Sequence, residues 1–173
     1  MRGAYGADVS DASPSTSLCL SCGLCCDGTL FDHAPVTAEE AERLRGTRVI
    51  LGTDSEKKPV LRQPCGALEG KCCTVYDSRP KTCRSFRCLV LRSVEDGSLS
   101  LEEGKARIES LKAFAQEAGL SIQNGPLLKQ VVFLAWRGTR SDALERVGEM
   151  IAVDFIPDPD EEPRSDADAD AAP

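Results

Sequence analysis

Four of the chain's nine cysteines sit inside eight residues, Cys19-Leu20-Ser21-Cys22-Gly23-Leu24-Cys25-Cys26. The other five, Cys65, Cys72, Cys73, Cys83 and Cys88, fall between residues 65 and 88. Closely spaced thiolates supply several ligands at little loop-closure cost, and two such patches brought together fix a fold through a soft metal. Cys19, Cys22 and Cys25 have the spacing that opens a bacterial ferredoxin-type iron–sulfur run, but the usual fourth cysteine followed by proline is missing. A fourth ligand must then come from residues 65–88. Each two-residue gap equally fits half of a zinc knuckle. Cys25 and Cys26 are adjacent, so their side chains diverge. Two sites, or one site plus a structural or redox thiol, suit that pair better than one shared metal.

The second segment sets its own conditions. Pro80 forces Arg79 into extended backbone, so the chain turns before Cys83. Cys83 and Cys88 are five apart, about 140° around a regular helix, which would not aim both at one point. Either the backbone near Cys83 is irregular or the two serve different roles. Lys71, Arg79, Lys81, Arg84 and Arg87 stand against Asp77 alone in residues 71–88, a local charge of +4. Four thiolates around zinc or a common four-iron cluster leave a net negative charge, which such cations would offset while lowering thiol pKa values. An ordinary basic surface loop and a site for an anionic partner are the competing readings of that charge.

Cys-x-x-Cys-Gly-x-Cys-Cys at residues 19–26, followed by Cys65 and then by Cys73-x-Val-Tyr-x-x-Arg-Pro-x-x-Cys-Arg-x-Phe, resembles the YkgJ-like cysteine-cluster family, or CxxCxxCC domain. The resemblance covers roughly residues 19–90 and implies zinc or iron chelation. Carried over position by position, it implies a ligand set of Cys19, Cys22, Cys25, Cys26, Cys65, Cys73, Cys83 and Cys88, with Cys72 an additional thiol. The same domain occurs in a flagellin lysine methylase, but no cofactor motif here carries that activity over. His33 is the sole histidine. It is read as a loop residue without a role, because eight thiols already complete two tetrahedra. Tyr76 and Phe86 are candidates for shielding the site from water. No nucleophile–base set is legible, so the chain leans away from being an enzyme.

The elements that must position these residues are punctuated clearly. Thr37-Ala38-Glu39-Glu40 is a capping box, predicting a helix from about Ala38 to Arg45 that stops at Gly46. Residues 18–36 are expected to hold the first cluster in a loop. Residues 48–51 and 59–61 read as short strands around a polar turn, and a helix is predicted from Arg84 to about Glu95. Ser100-Leu101-Glu102-Glu103 is a second capping box, followed by Ile108, Leu111 and Ala115 at helical spacing. Pro126 opens another helix carrying Leu127, Val131 and Leu134 to Gly138, and Ser141 caps a third with Leu144, Val147 and Ile151 on one stripe. These stripes read as core faces.

Composition bounds the rest. A length of 173 residues suits one domain with a real core. Nine cysteines are about 5% of the chain, below the roughly 8–10% of disulfide scaffolds, and their number is odd. Residues 1–17 lack the apolar stretch of a secretory signal, and the run Val131–Trp136 is too short to span a bilayer. A reducing cytoplasm is the expected setting, with a secreted disulfide protein as the competitor. The formal charge of −7 is concentrated at the end: residues 157–173 hold seven acidic residues and one arginine, leaving the body nearly neutral. Neither nucleic acid nor membrane is an expected partner.

The sequence thus predicts a helix-rich α+β fold, in which an irregular cysteine-rich half with short strands is buttressed by about three C-terminal helices. The expected organisation is a disordered leader at 1–17, one domain at 18–156 (metal-binding part 18–96, helical part 98–156) and a disordered acidic tail at 157–173. The leading function is chelation of zinc or an iron–sulfur cluster through two cysteine-rich segments. An iron–sulfur redox or enzyme component, and a zinc-held adaptor for a protein partner, are the alternatives.

Overall fold

Capping chemistry fixes where most of the helices begin. Thr37 accepts a hydrogen bond from the Glu40 N–H at 3.1 Å while the Glu40 carboxylate accepts from the Thr37 N–H at 2.8 Å. That box starts helix α2, Ala38–Leu44. Ser100 and Glu103 repeat it at α5, Leu101–Glu117, and Ser141 caps α7, Asp142–Met150, by accepting from the Leu144 N–H. The structure, a computed structural model, describes residues 14–158. Most of the expected leader and nearly all of the expected acidic tail lie outside that range.

The remaining helices are α1 (Pro14–Cys22), α3 (Lys81–Ser85), α4 (Leu89–Glu95) and α6 (Leu127–Trp136), and α7 runs on into a π-turn at Ile151–Phe155. Three short antiparallel strands, β1 (His33–Pro35), β2 (Leu51–Thr53) and β3 (Pro59–Arg62), form a sheet in the order β1-β3-β2. Leu68–Glu69 (β4) and Cys72–Cys73 (β5) pair as a separate hairpin. This is the helix-rich α+β architecture anticipated from the sequence. Among the described residues, no helix is long and apolar enough to cross a membrane.

Two apolar cores hold these pieces. The larger gathers Leu18 from α1, Leu24 and Leu30 from the loop after it, Val90 from α4, Ile108 and Leu111 from α5, and Val147, Ile151 and Phe155 from the C-terminal end. The cysteine-rich and helical parts therefore share one core. The smaller consists of Val36, Ala41, Leu44 and Leu61, between α2 and the three-stranded sheet.

Two departures from the sequence reading matter for the site. Helix α1 starts at Pro14, inside the expected leader, and carries Cys19 and Cys22, which were expected in a loop. Packing accounts for this: Leu18 is 1% exposed, and α1 lies against α4 and α5. The single helix expected from Arg84 to Glu95 is two helices, with Phe86–Cys88 breaking between α3 and α4.

Glu40 has a second task. Its carboxylate also accepts from the Lys81 N–H at 2.7 Å, tying the start of α3 to the cap of α2. Burial opposes its ionisation, but the N–H donors of Thr37 and Lys81 outweigh burial and hold the carboxyl below its ordinary range. A carboxyl depressed in the folded state stabilises the fold above its unfolded pKa, and this contribution is lost as pH falls through the lowered value. Glu40→Ala is expected to cost about 2–3 kcal/mol at neutral pH, from two charge-assisted bonds, one of them a helix cap. Thermal melts at pH 7 and pH 3 check this: the difference between wild type and variant should shrink in acid.

Candidate metal centre

Cys19 and Cys22 lie one helical turn apart on the last turns of α1, and so share a face. The helix stops at Gly23, whose φ of +76° is a left-handed conformation that side chains disfavour. The Gly23 carbonyl then accepts from the Cys26 N–H at 2.8 Å and the Asp27 N–H at 2.9 Å. Leu24, 1% exposed, pins this tight return to the large core. Cys25 and Cys26 are thereby folded back beside the end of α1.

The second segment is joined to the first by backbone. The Cys65 N–H donates to the Cys26 carbonyl at 2.7 Å. Gly66, the next residue, passes so close to Arg48 that an added Cβ would stand 1.9 Å from the Arg48 carbonyl oxygen. Gly66→Ala must push that backbone apart and is expected to cost about 3 kcal/mol, the upper end for overpacking, because the obstacle is main chain. It should also move Cys65. A melting curve together with metal content checks both effects.

In the β4–β5 hairpin Cys73 pairs with Leu68 and Cys72 with Glu69. The two-residue period of a strand sends their side chains to opposite faces: Cys72 is exposed and Cys73 half-buried. Cys83 rides on α3, which the Thr82 hydroxyl ties to β1 by donating to the Pro35 carbonyl at 2.8 Å. Cys88 is the N-cap of α4, its Sγ accepting from the Leu91 N–H at 3.4 Å. The break at Phe86–Cys88 therefore resolves the 140° conflict by placing Cys83 and Cys88 on different helices.

Seven of the eight sequence-predicted ligands, Cys19, Cys22, Cys25, Cys26, Cys73, Cys83 and Cys88, line one cavity of about 240 Å³. Neither Cys65, whose N–H is bonded to the Cys26 carbonyl, nor Cys72 is among the lining residues. His33 lines the cavity too, from β1 rather than a loop, with Nδ1 2.6 Å from Asp32 Oδ1. Phe31 meets Phe86 edge-to-face at 5.1 Å along the wall. Tyr76 and Phe86 were legible as shields; Phe31 was missed, although it directly precedes Asp32-His33 at the exit of the first segment.

Burial governs the thiols. It pushes Cys22 and Cys26 up to about 12 and Cys83 up to about 11, and raises Cys19, Cys25, Cys65 and Cys88 as well. Neighbouring thiols add to this, whereas Arg79 and Arg87 work against it at Cys19. Arg79 lies over the Tyr76 ring at 3.5 Å and lines the cavity with Lys71, while Arg87 pairs with Glu95 at 3.1 Å. Of the five cations in residues 71–88, Lys71 and Arg79 line the cavity. All nine cysteines are free thiols. Among the described residues, no three Cys, His, Asp or Glu side chains converge closely enough to grip an ion as placed. The donor set still fits a soft metal: seven thiols with one imidazole, His33, lined by Tyr76, Phe31 and Phe86 and flanked by Lys71 and Arg79.

The fold and this gathering of thiols can be set beside known proteins. No curated protein and no solved structure matches the chain. Residues 18–112 match the model of a family described as CxxCxxCC, "Putative zinc- or iron-chelating domain". That span takes in all nine cysteines, both cores' contributions to the site and the first turns of α5. With more than half of its length covered, the chain belongs to the CxxCxxCC family.

Proposed function

We propose that the protein holds zinc or an iron–sulfur cluster through Cys19, Cys22, Cys25, Cys26, Cys65, Cys73, Cys83 and Cys88. The observation that carries this reading is the gathering of seven cysteines around one cavity, with Cys65 bonded through its N–H to the Cys26 carbonyl, while Cys72, exposed like Cys19, is outside the lining. The buried thiols are protonated at neutral pH, so metal uptake must displace protons and draw the sulfurs inward. Bound there, the metal would crosslink the two cysteine segments and, as an iron–sulfur cluster, exchange electrons. Arg79 and Lys71 offset the negative charge that four thiolates leave on either centre. A reducing compartment, the cytoplasm by expectation, is where such thiols persist.

Protein purified without oxygen decides the metal. Elemental analysis should return stoichiometric zinc in a colourless protein, or iron with sulfide in a brown one absorbing in the visible. The brown form supports the redox alternative and the colourless one removes it. Folded protein carrying neither metal contradicts the proposal. The adaptor reading draws support from α6, where Val132, Phe133 and Trp136 are 61%, 56% and 79% exposed, more apolar surface than one short helix normally leaves to water.

A further inference from the structure

We infer that the eight thiols form two separate four-sulfur sites: Cys19, Cys22, Cys25 and Cys88 on the helical side of the cavity, and Cys26, Cys65, Cys73 and Cys83 on the sheet side. The inference rests on the reading of these cysteines as ligands and concerns how they divide.

Scaffold and packing draw the line between them. Cys22, Cys25 and Cys88 pack against the large helical core, whereas Cys65 packs against the small core beneath the three-stranded sheet. Cys88 caps α4, which lies against the α1 helix that carries Cys19 and Cys22. On the other side, the Cys65 N–H is bonded to the Cys26 carbonyl, and the Leu68 N–H donates to the Cys65 carbonyl at 3.0 Å. Leu68 is in turn the register partner of Cys73, so Cys26, Cys65 and Cys73 form one connected backbone unit. Cys83 joins that unit because α3 is tied to the sheet side by Glu40 and by the bond from Thr82 to Pro35.

Each vicinal or helical conflict in the sequence then disappears. Adjacent Cys25 and Cys26 diverge because they serve different sites, and Cys83 and Cys88 are split by the helix break for the same reason. Cys19 lies on α1, the helix that also carries Cys22. Its place one turn from Cys22 on α1 assigns it to the helical side. Each set has the four sulfurs that a tetrahedral zinc or a cubane cluster takes.

The test uses the full chain, stripped and reloaded with Zn²⁺ under anaerobic conditions. Wild type should bind two equivalents. Cys22→Ser and Cys83→Ser should each retain one, the within-set pair Cys26→Ser/Cys83→Ser should also retain one, and the cross-set pair Cys22→Ser/Cys83→Ser should retain none. Cobalt in place of zinc reports, by its thiolate charge-transfer band, that the remaining equivalent is still sulfur-bound. One equivalent in wild type, or two that are lost together in every single variant, would overturn the division while leaving chelation intact. Failure of the wild type to take up any zinc would overturn the ligand reading itself. Because the wild-type count needs no variant, poor folding of a substituted chain does not blunt the test.

Discussion

Removal of metal by a chelator at neutral pH is expected to dismantle residues 19–88 while α5, α6 and α7 keep most of their helicity. The asymmetry follows from what each part can bury. The C-terminal helices are 17, 10 and 9 residues long and close on the large core. The sheet side has four buried apolar residues in its core, a hairpin of two-residue strands and a five-residue α3. Burying one such side chain contributes about 1.5–3 kcal/mol, and ordering one residue's backbone costs about 1–2 kcal/mol, so this side is marginal unaided. Structural zinc supplies apparent binding energies of about 10–16 kcal/mol in small zinc modules, enough to decide whether such a segment is ordered. Far-UV circular dichroism should therefore lose part of its helical signal rather than all of it. Trypsin should gain access to Lys81, Arg84 and Arg87. Unchanged protease resistance across residues 19–88 after complete metal removal would contradict this.

The second large effect separates two adjacent thiols. Cys73→Ser is expected to weaken metal retention at its site by more than about 100-fold, beyond the roughly 10–100-fold that loss of a hydrogen-bonded outer partner costs a metal site. A serine oxygen is a poor substitute for thiolate on a soft metal, and the remaining sulfurs keep their negative charge with less metal bonding. Cys72→Ser should match wild type in metal content and melting temperature, because its side chain leaves the opposite face of β5 into solvent. Competition with a chromogenic chelator measures both. Equal losses from the two variants, or loss confined to Cys72→Ser, would contradict the strand-face assignment.

Much of this site was legible in the one-dimensional chain because cysteine spacing and helix caps are local signals. Thr37, Glu40, Ser100, Glu103 and Ser141 act where the capping pattern put them. Ile108, Leu111, Leu144, Val147 and Ile151 are buried as their helical spacing required. Cys72, set aside on resemblance alone, is the exposed member of its pair.

What the sequence hid is tertiary. Residues 14–22 carry no apolar stripe, so α1 becomes visible only when Leu18 finds the large core. His33-Ala34-Pro35 has little strand character, and β1 exists because β3 offers it partners. The expected strand at 48–51 is realised instead at Leu51–Thr53, where residue pairing with Pro59–Leu61 sets the register. The split of the Arg84–Glu95 helix leaves no local mark such as proline or glycine at Phe86–Cys88. Glu40 was read as half of a capping box; its reach to Lys81, 41 residues away, is a contact that no spacing rule contains. Gly66 is an ordinary loop glycine in the sequence, and only the passage of Arg48 across it makes a side chain there intolerable.

The central claim is that cysteine sulfur is the protein's only ligand to the metal. X-ray absorption at the zinc or iron edge of the purified protein measures the ligand shell directly. A first shell of sulfur alone is expected, at about 2.3 Å if the metal is zinc. A shell dominated by nitrogen or oxygen at about 2.0–2.2 Å would contradict the account.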